Sequence, residues 1–186
     1  MRRIAIVAVT ILMISIIAVG WVYRHTSRYN FMISQAAARN GLDFYLVKAI
    51  VYEESWFRSD IRGPSGEWGL MQITRAAAAD FSASKGYPAF YDDRLIEPEL
   101  NLEIGCWYLK RSIERYKDSP HPTLFALLRY NAGEARADNW LRLALSTSPA
   151  DGVSPEDHYL SVVDFPRTRA YVSRILKRYT SHNFWF

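Results

Sequence analysis

The sequence predicts an all-α domain that follows an apolar N-terminal segment. Three observations support this: an uncharged run near the N-terminus, apolar residues at helical spacing through most of the remaining chain, and no sustained alternation that would indicate a large sheet. The 186 residues suit one domain of ordinary size once the N-terminal segment is set aside. With 49% hydrophobic and 15% aromatic residues the chain can bury a sizeable core, which excludes a disordered protein.

The N-terminus contains a run long enough to cross a bilayer. After Arg2 and Arg3, residues 4–23 carry no charged side chain, and about 20 apolar residues are what a spanning helix needs. Basic residues before a span favour a cytoplasmic N-terminus. We therefore expect residues 1–23 to anchor the chain in the inner membrane, with the domain on the periplasmic or extracytoplasmic side.

A cleaved signal peptide is the alternative to the anchor. Ala18 and Gly20 have the small side chains and the spacing that a signal peptidase reads. Against it, the apolar run is longer than the usual signal-peptide core of roughly 7–15 residues. Trp21 and Tyr23 also suit the membrane interface. Under either interpretation the domain is exported.

The charge balance argues against nucleic acid as a partner. Two of the 23 basic residues precede the apolar run, so the rest of the chain is close to neutral against 19 acidic residues. Nucleic-acid binding usually requires a strongly basic face. We interpret the basic cluster near the C-terminus as a solvated helix face; it comprises Arg167, Arg169, Arg174, Lys177 and Arg178.

The cysteine and histidine content predicts neither an internal disulfide nor a metal site. Cys106 is the only cysteine, and the four histidines are scattered without close Cys or His partners. We expect no metal, no cofactor and a monomeric chain.

The periodicity after the apolar run predicts six helices. Residues 24–42 are assigned to a linker or short helix, and residues 43–182 to the globular domain. Connectors rich in Gly, Pro, Ser and Asp are expected at residues 85–99 and 146–157. The helices are expected at residues 43–57, 70–81, 101–116, 123–130, 135–145 and 167–179.

Glu54 lies on the apolar face of the first of these helices. At about 100° per residue it shares a narrow face with Val47, Ile50, Val51 and Phe57. A carboxylate there is costly unless it is paired or protonated, and desolvation raises its pKa towards the range that suits a general acid. Glu54 is the candidate catalytic residue, and a salt-bridged glutamate at the rim of the core is the alternative. Glu53 is expected to be solvated.

Two further segments offer polar side chains. Glycines between Gly63 and Gly69 permit a tight loop before Gln72, whose amide both donates and accepts hydrogen bonds and therefore fits sugar hydroxyl and acetamido groups. Asn131 precedes Gly133, which suits a helix end.

Five short blocks follow one another between Phe44 and Tyr179. Glu54-Ser55 precedes Phe57, and Gly69-Leu70-Met71-Gln72 comes next. The three later blocks are Asn101 with Gly105 and Tyr108-Leu109, then Tyr130-Asn131-Ala132-Gly133, then Thr168-Arg169 with Tyr171-Val172. In order and spacing they resemble the catalytic domain of the soluble lytic transglycosylase (SLT) family, a branch of the lysozyme-like superfamily.

The resemblance implies a lysozyme-like helical fold and an enzyme that cuts peptidoglycan glycan strands. The bond would be the β-1,4 linkage between N-acetylmuramic acid and N-acetylglucosamine, and the product a 1,6-anhydromuramoyl end. Glu54 would act as both acid and base, because an acetamido group on the substrate can replace a second carboxylate. Substrate contacts are expected from Ser55, Met71, Gln72, Tyr130, Asn131 and Tyr171.

The chain departs from the family pattern at three positions. Arg167 stands where the family commonly has glutamate, Arg75 stands where a proline is common, and Trp68 is bulkier than the small residue usual there. At Arg167 a cation therefore replaces a carboxylate that the family often has near the groove.

Two alternative functions remain open. A hydrolytic lysozyme would need a second acid to position water, and the candidates are Asp60, Asp80 and Asp92. A cell-wall-binding component of an envelope assembly with weakened activity belongs to a different class, and the intact Glu54-Ser55 motif argues against it.

Overall fold

The computed structural model describes residues 2–88 and 92–184. Within them the chain is helical, with no β-strand beyond isolated bridges at Trp68, so the predicted all-α class is confirmed. A short 3-10 helix (Asp92–Ile96) precedes the helix that begins at Pro98. The helices are α1 (Arg2–Ser27), α2 (Asn30–Arg39), α3 (Phe44–Ser55), α4 (Arg75–Lys85), α5 (Pro98–Arg115), α6 (Pro122–Ala132), α7 (Glu134–Ser146), α8 (Pro155–Ser161) and α9 (Pro166–Ser181).

α1 is apolar and stands clear of the packed domain. Its large side chains from Ile4 to Val19 are exposed. In the described residues one helical stretch, Arg2–Arg39, is long and apolar enough to cross a membrane, with a mean hydropathy of 2.7 in its most apolar window. A signal sequence passes the same test, so length and hydropathy do not choose between an anchor and a cleaved leader.

The end of α1 docks onto the turn that follows α3. His25 Nε2 lies 2.8 Å from the Trp56 carbonyl oxygen, and the Arg28 guanidinium donates to the Phe57 carbonyl. Trp56 and Phe57 both have left-handed backbone conformations, with φ of 49° and 59°. Such conformations are unfavourable for bulky residues and persist where neighbouring contacts hold them.

α2 belongs to the packed domain. Ile33, Ala36 and Ala37 are buried, and the helix packs against α3 and α5. The packed body therefore includes residues that we expected to form a linker or short helix.

α3 confirms the helix that the periodicity predicts, but it is two residues shorter at its C-terminal end. The Asp43 carboxylate caps the N-terminus by accepting from the backbone N–H groups of Tyr45 at 2.7 Å and Leu46 at 3.2 Å. The left-handed Trp56 ends the helix. Most of its apolar side chains are buried, so α3 is the central helix that carries Glu54.

The expected start of the second helix at residue 70 is wrong, because α4 begins at Arg75. Residues 68–73 form a tight loop in which the backbones of Trp68 and Ile73 exchange hydrogen bonds of 3.0 and 2.9 Å. Gly69 and Gln72 have positive φ values of 73° and 47°, which a helix does not allow. The Thr74 hydroxyl accepts from the Ala77 N–H at 3.1 Å and caps α4.

The remaining predicted helices are confirmed with shifted ends, and α8 is additional. α5 packs against α2, α4 and α6, whereas α9 packs against α3 and α6. α8 begins within the connector expected at residues 146–157. The connector expected at 85–99 contains the 3-10 helix, and its residues 89–91 lie outside the described part of the chain. Packing of α9 on α3 brings the C-terminal block of the sequence beside Glu54.

Candidate active site

Glu54 occupies the last turn of α3 and remains partly open to solvent. The hydroxyl of Tyr171 on α9 donates to Glu54 Oε1 at 2.5 Å. Desolvation raises the pKa of Glu54 to about 7. The Tyr171 hydrogen bond opposes this shift by stabilising the carboxylate, and the charges of Glu53 and Glu67 add to it. The group therefore exchanges its proton near neutral pH.

Two tyrosines flank this carboxyl group. Burial, followed by the charge of Glu54, raises the pKa of both Tyr130 and Tyr171 well above the usual value, so both hydroxyls stay protonated near neutral pH. The Tyr130 hydroxyl donates to the Met71 carbonyl at 2.9 Å. Tyr171 thus contacts the acid directly, whereas Tyr130 connects its surroundings to the 68–73 loop.

The buried side chain of Asn101 on α5 holds the 68–73 loop in place. Its Oδ1 accepts from the Met71 N–H at 2.7 Å. Its Nδ2 donates to the carbonyls of Trp68 and Leu95, both at 2.7 Å. Asn101 is fully buried, and a Cβ at Gly69 would come within 2.5 Å of its amide nitrogen. Asn101 belongs to one of the five sequence blocks, but the sequence alone indicated no role for it.

Close packing of Met71 completes the support of the loop. Met71 is fully buried, and a Cβ at Gly105 would come within 2.4 Å of its sulfur. The apolar side chain therefore requires a glycine on α5. Met71 lies under the site and offers no exposed side chain to a ligand in this structure.

Gln72 and Glu67 lie side by side at the loop. Gln72 Nε2 donates to the Gly69 carbonyl at 2.9 Å, while Glu67 Oε2 accepts from the Ser65 N–H at 3.0 Å. Both side chains pack over Gly63, where a Cβ would come within 2.6 Å of Gln72 Oε1 and 2.3 Å of Glu67 Oε2. Glu67 was not among the predicted site residues; its position two residues before the Gly-Leu-Met-Gln motif was the available signal.

Ser55 and Asn131 have different surroundings. Ser55 is buried, and its hydroxyl donates to the Val51 carbonyl at 3.0 Å within α3. Asn131 is exposed, and its Oδ1 accepts from the Thr168 hydroxyl at 2.8 Å, which joins α6 to α9. The structure thus places Asn131 at the surface beside Tyr130, whereas Ser55 is buried within the domain.

The expectation that Glu53 is solvated is wrong. Its side chain is only 12% exposed and forms an ion pair with Arg174 on α9. Because α9 packs on α3, the outward face of α3 at this level is covered as well. The ion pair holds the two helices together directly beside Glu54.

Three adjoining depressions form a groove across this face. The loop depression lies between Arg62, Trp68 and Arg75, and it shares Thr74 with the central depression. The central depression is lined by Gln72, Tyr108, Arg129 and Tyr130. It shares Asn131 with the α9 depression, which is lined by Arg167, Tyr171 and Arg174. Glu54 itself lines none of the three depressions; its carboxyl group bonds to Tyr171, which lines the α9 depression, and its charge acts on Tyr130, which lines the central one.

The aspartates considered as second acids do not accompany Glu54. Asp60 and Asp80 are exposed and line none of the three depressions. The side chain of Asp92 lies outside the described part of the chain. Among the described residues, the carboxylates that affect the pKa of Glu54 are instead Glu53 and Glu67.

A helical domain with one glutamate beside an extended groove has the architecture of the lysozyme-like class. Of the solved structures, an inactive mutant of the lytic transglycosylase Slt from Pseudomonas aeruginosa is similar, with a TM-score of 0.71 and 26% identity. The match covers 86% of this chain and 24% of that one. The predicted lysozyme-like fold is confirmed.

Sequence comparison then identifies the family. The Transglycosylase SLT domain matches residues 31–150, and the chain belongs to this family. The membrane-bound lytic murein transglycosylase F of Desulfosudis oleivorans is 33% identical over 115 residues, 60% of this chain and 23% of the relative. The soluble lytic murein transglycosylase of Salmonella typhimurium is 28% identical over 149 residues, 80% of this chain and 22% of the relative.

The chain spans less than a quarter of the length of these relatives. Glu54, Gln72, Tyr130 and Asn131 fall within the matched family domain, whereas Tyr171 lies beyond its last residue.

Proposed function

We propose that the chain is a peptidoglycan lytic transglycosylase that cleaves the β-1,4 bond between N-acetylmuramic acid and N-acetylglucosamine and forms a 1,6-anhydromuramoyl end. The observation that carries this proposal is the position of Glu54, whose carboxyl group is held by Tyr171 beside the groove. Desolvation there raises its pKa to about 7. Membership of the SLT family and relatives named lytic murein transglycosylases support the substrate class.

Glu54 would act first as an acid and then as a base. In its protonated form it gives its proton to the oxygen that leaves the muramoyl C1 as the glycosidic bond breaks. The resulting carboxylate takes the proton from the muramoyl 6-hydroxyl as O6 bonds to C1. Because the nucleophile belongs to the same sugar, its effective concentration is high, and Glu54 ends the cycle protonated.

Other residues would orient the sugar and control the acid. Tyr171 holds the Glu54 carboxyl group through its 2.5 Å hydrogen bond. Gln72, Tyr130 and Asn131 line the central depression and offer polar groups to hydroxyl or acetamido groups. Met71 and Ser55 are buried, so we infer that they support the loop and α3 without touching the substrate.

A hydrolytic lysozyme is the second candidate, and one observation favours it. The charge of Glu67 reaches Glu54, as expected of a nearby second carboxylate. Glu67 already accepts from the Ser65 N–H and packs beside Gln72 over Gly63, so its carboxylate is engaged within the loop. We therefore favour intramolecular attack over attack by a water that Glu67 positions.

We propose that α1 anchors the chain in the inner membrane with the domain on the extracytoplasmic side. The exposed apolar surface of α1 and membrane-bound relatives support this localisation. In this domain organisation residues 1–23 form the anchor, and the catalytic domain extends to residue 182.

A digest of purified sacculi tests the reaction. With active protein, mass spectrometry should find 1,6-anhydro ends, which lack one water and resist borohydride, and Glu54→Gln should give none above background. Reducible muramic acid ends would instead identify a hydrolase, and Glu67→Gln should then abolish them. No new ends at all would favour a binding protein.

A further inference from the structure

The charged side chains that line the groove all have the same sign. Among the described lining residues of the three depressions there is no aspartate or glutamate. The charged ones are Arg62, Arg75, Arg129, Arg167 and Arg174. The lining of the groove therefore carries only positive charge, although Glu53, Glu54 and Glu67 lie beside it. Charge in a cleft acts on ligands more strongly than charge on an open surface.

Two of these arginines are neutralised by protein carboxylates. Arg129 Nε lies 2.9 Å from Glu134 Oε2, and Arg174 is paired with Glu53. Arg167 is exposed and makes no hydrogen bond or ion pair within residues 2–88 and 92–184. Its charge therefore remains available to a ligand. Arg167 belongs to the basic cluster that we predicted to be a solvated helix face, and at this residue that face borders the groove.

Arg167 lines the same depression as Tyr171, the hydrogen-bond partner of Glu54. The α9 depression is also lined by Tyr171, which contacts Glu54, and by Asn131, which is shared with the central depression. A group bound there would therefore belong to a sugar next to the bond that is cut.

The proposed substrate carries carboxylates close to that bond. N-acetylmuramic acid bears a lactyl group whose carboxyl is either free or joined to a stem peptide, and the stem peptide ends in carboxylates of its own. A guanidinium group binds a carboxylate through two parallel N–H donors. A glutamate at position 167 would instead repel the carboxylate.

We propose that the α9 depression is a carboxylate-binding site in which Arg167 receives a lactyl or stem-peptide carboxylate of the glycan strand. The proposal rests on the proposed function. It makes Arg167 a specificity-determining residue, so this chain favours strands with negatively charged muramoyl substituents.

Equilibrium binding to the full-length chain carrying Glu54→Gln, in detergent, tests the site without turnover. Three muramoyl oligosaccharides of equal length serve as probes: one with stem peptides, one with free lactyl carboxylates, and one with its carboxylates converted to neutral amides. Arg167→Gln should weaken binding of a carboxylate probe roughly five- to tenfold and leave the neutral probe unchanged. Arg167→Lys should restore part of the loss, because it keeps the charge without the paired donors.

Arg169→Gln is the matched control, because Arg169 is exposed on the same helix and lines none of the three depressions. A loss confined to the peptide-bearing probe identifies the stem peptide as the source, and a loss with the free-lactyl probe identifies the lactyl group. Equal effects of Arg167→Gln on all three probes, or no effect on any, would overturn the proposal. Failure of the proposed function is distinguishable, since it appears as absent anhydro ends with the active protein.

Discussion

Glu54 and Tyr171 make a short contact whose effect opposes that of the surrounding desolvation. The hydroxyl stabilises the carboxylate, while burial favours the neutral acid, and burial is the larger of the two influences on the pKa. The net pKa of about 7 leaves Glu54 able to give and to take a proton at neutral pH.

The raised pKa of Glu54 should cost stability at high pH. Between its ordinary pKa and about 7 the folded chain binds more protons than the unfolded chain, so stability falls as the pH rises through this window. The full cost, roughly 3 kcal/mol, is present above pH 7. Glu54→Gln should therefore raise the melting temperature at pH 8 and change it little at pH 4. An equal shift at both pH values would contradict this account of the acid.

Tyr171→Phe should move the pH profile of kcat/KM. Without the hydroxyl, the Glu54 carboxylate loses the hydrogen bond that lowers its pKa, so the pKa rises further. The fall of activity at high pH should then shift upward by up to about one pH unit. Tyr130→Phe is the control, because its hydroxyl bonds to the Met71 carbonyl instead. An unchanged alkaline limb in Tyr171→Phe would show that this contact does not set the pKa.

At the scale of secondary structure elements, the site depends on contacts between segments that are far apart in the sequence. The 68–73 loop is fixed by α5, and the C-terminal turn of α3 is contacted by the end of α1. Each of these contacts uses polar groups whose loss would leave buried or strained backbone unsupported.

Asn101→Ala should destabilise the chain by about 3 kcal/mol or more, because it leaves one buried N–H and two carbonyls without their partner. Activity should fall further than folding alone explains, since Met71 and Gln72 belong to the loop that Asn101 holds. Chemical denaturation and turnover of the folded fraction measure the two effects. Asn139→Ala, at an exposed position of α7, is the control. Similar stability of the two variants would refute the role of Asn101.

Arg28→Ala should destabilise the turn after α3. The guanidinium donates to the Phe57 carbonyl near the C-terminal end of that helix, where a positive charge is favourable. We expect a loss of about 1 kcal/mol, read from thermal unfolding of the full chain in detergent. Arg24→Ala removes an exposed arginine one helical turn earlier and should be silent. If both variants unfold alike, the docking of α1 contributes nothing measurable.

At the scale of the whole molecule, the exposed apolar helix α1 is joined to a packed domain. α1 presents its side chains outward, whereas α2 to α9 form one packed body around α3, α5 and α6. The groove therefore belongs to a domain whose attachment point lies beside the turn that follows Glu54.

The full chain should remain in the membrane fraction after carbonate extraction. Its apolar surface at residues 4–19 has no partner inside the described protein, so water would be an unfavourable environment for it. A variant lacking residues 4–20 should be recovered in the soluble fraction. A native soluble protein that begins at Trp21 would exclude the anchor and identify a cleaved leader.

The sequence by itself determined the helical class, the catalytic candidate and the family. Helical periodicity and motif order are properties of short stretches, so α3, the placement of Glu54 on its apolar face and the five blocks are readable without coordinates. The same local reasoning wrongly extended a helix through residues 70–74. The spacing of apolar residues does not encode the loop there, in which Gln72 has a positive φ and which distant Asn101 holds at Trp68 and Met71.

Only the tertiary structure decided which groups surround the acid. Tyr171 is 117 positions from Glu54 in the sequence, and Arg174 pairs with a glutamate that a helical wheel assigns to solvent. Both contacts exist because α9 packs across α3, and this docking depends on the fit of two buried surfaces. Local periodicity places a side chain on a helix face, but only packing determines what covers that face and how far it raises the pKa of a carboxyl group there.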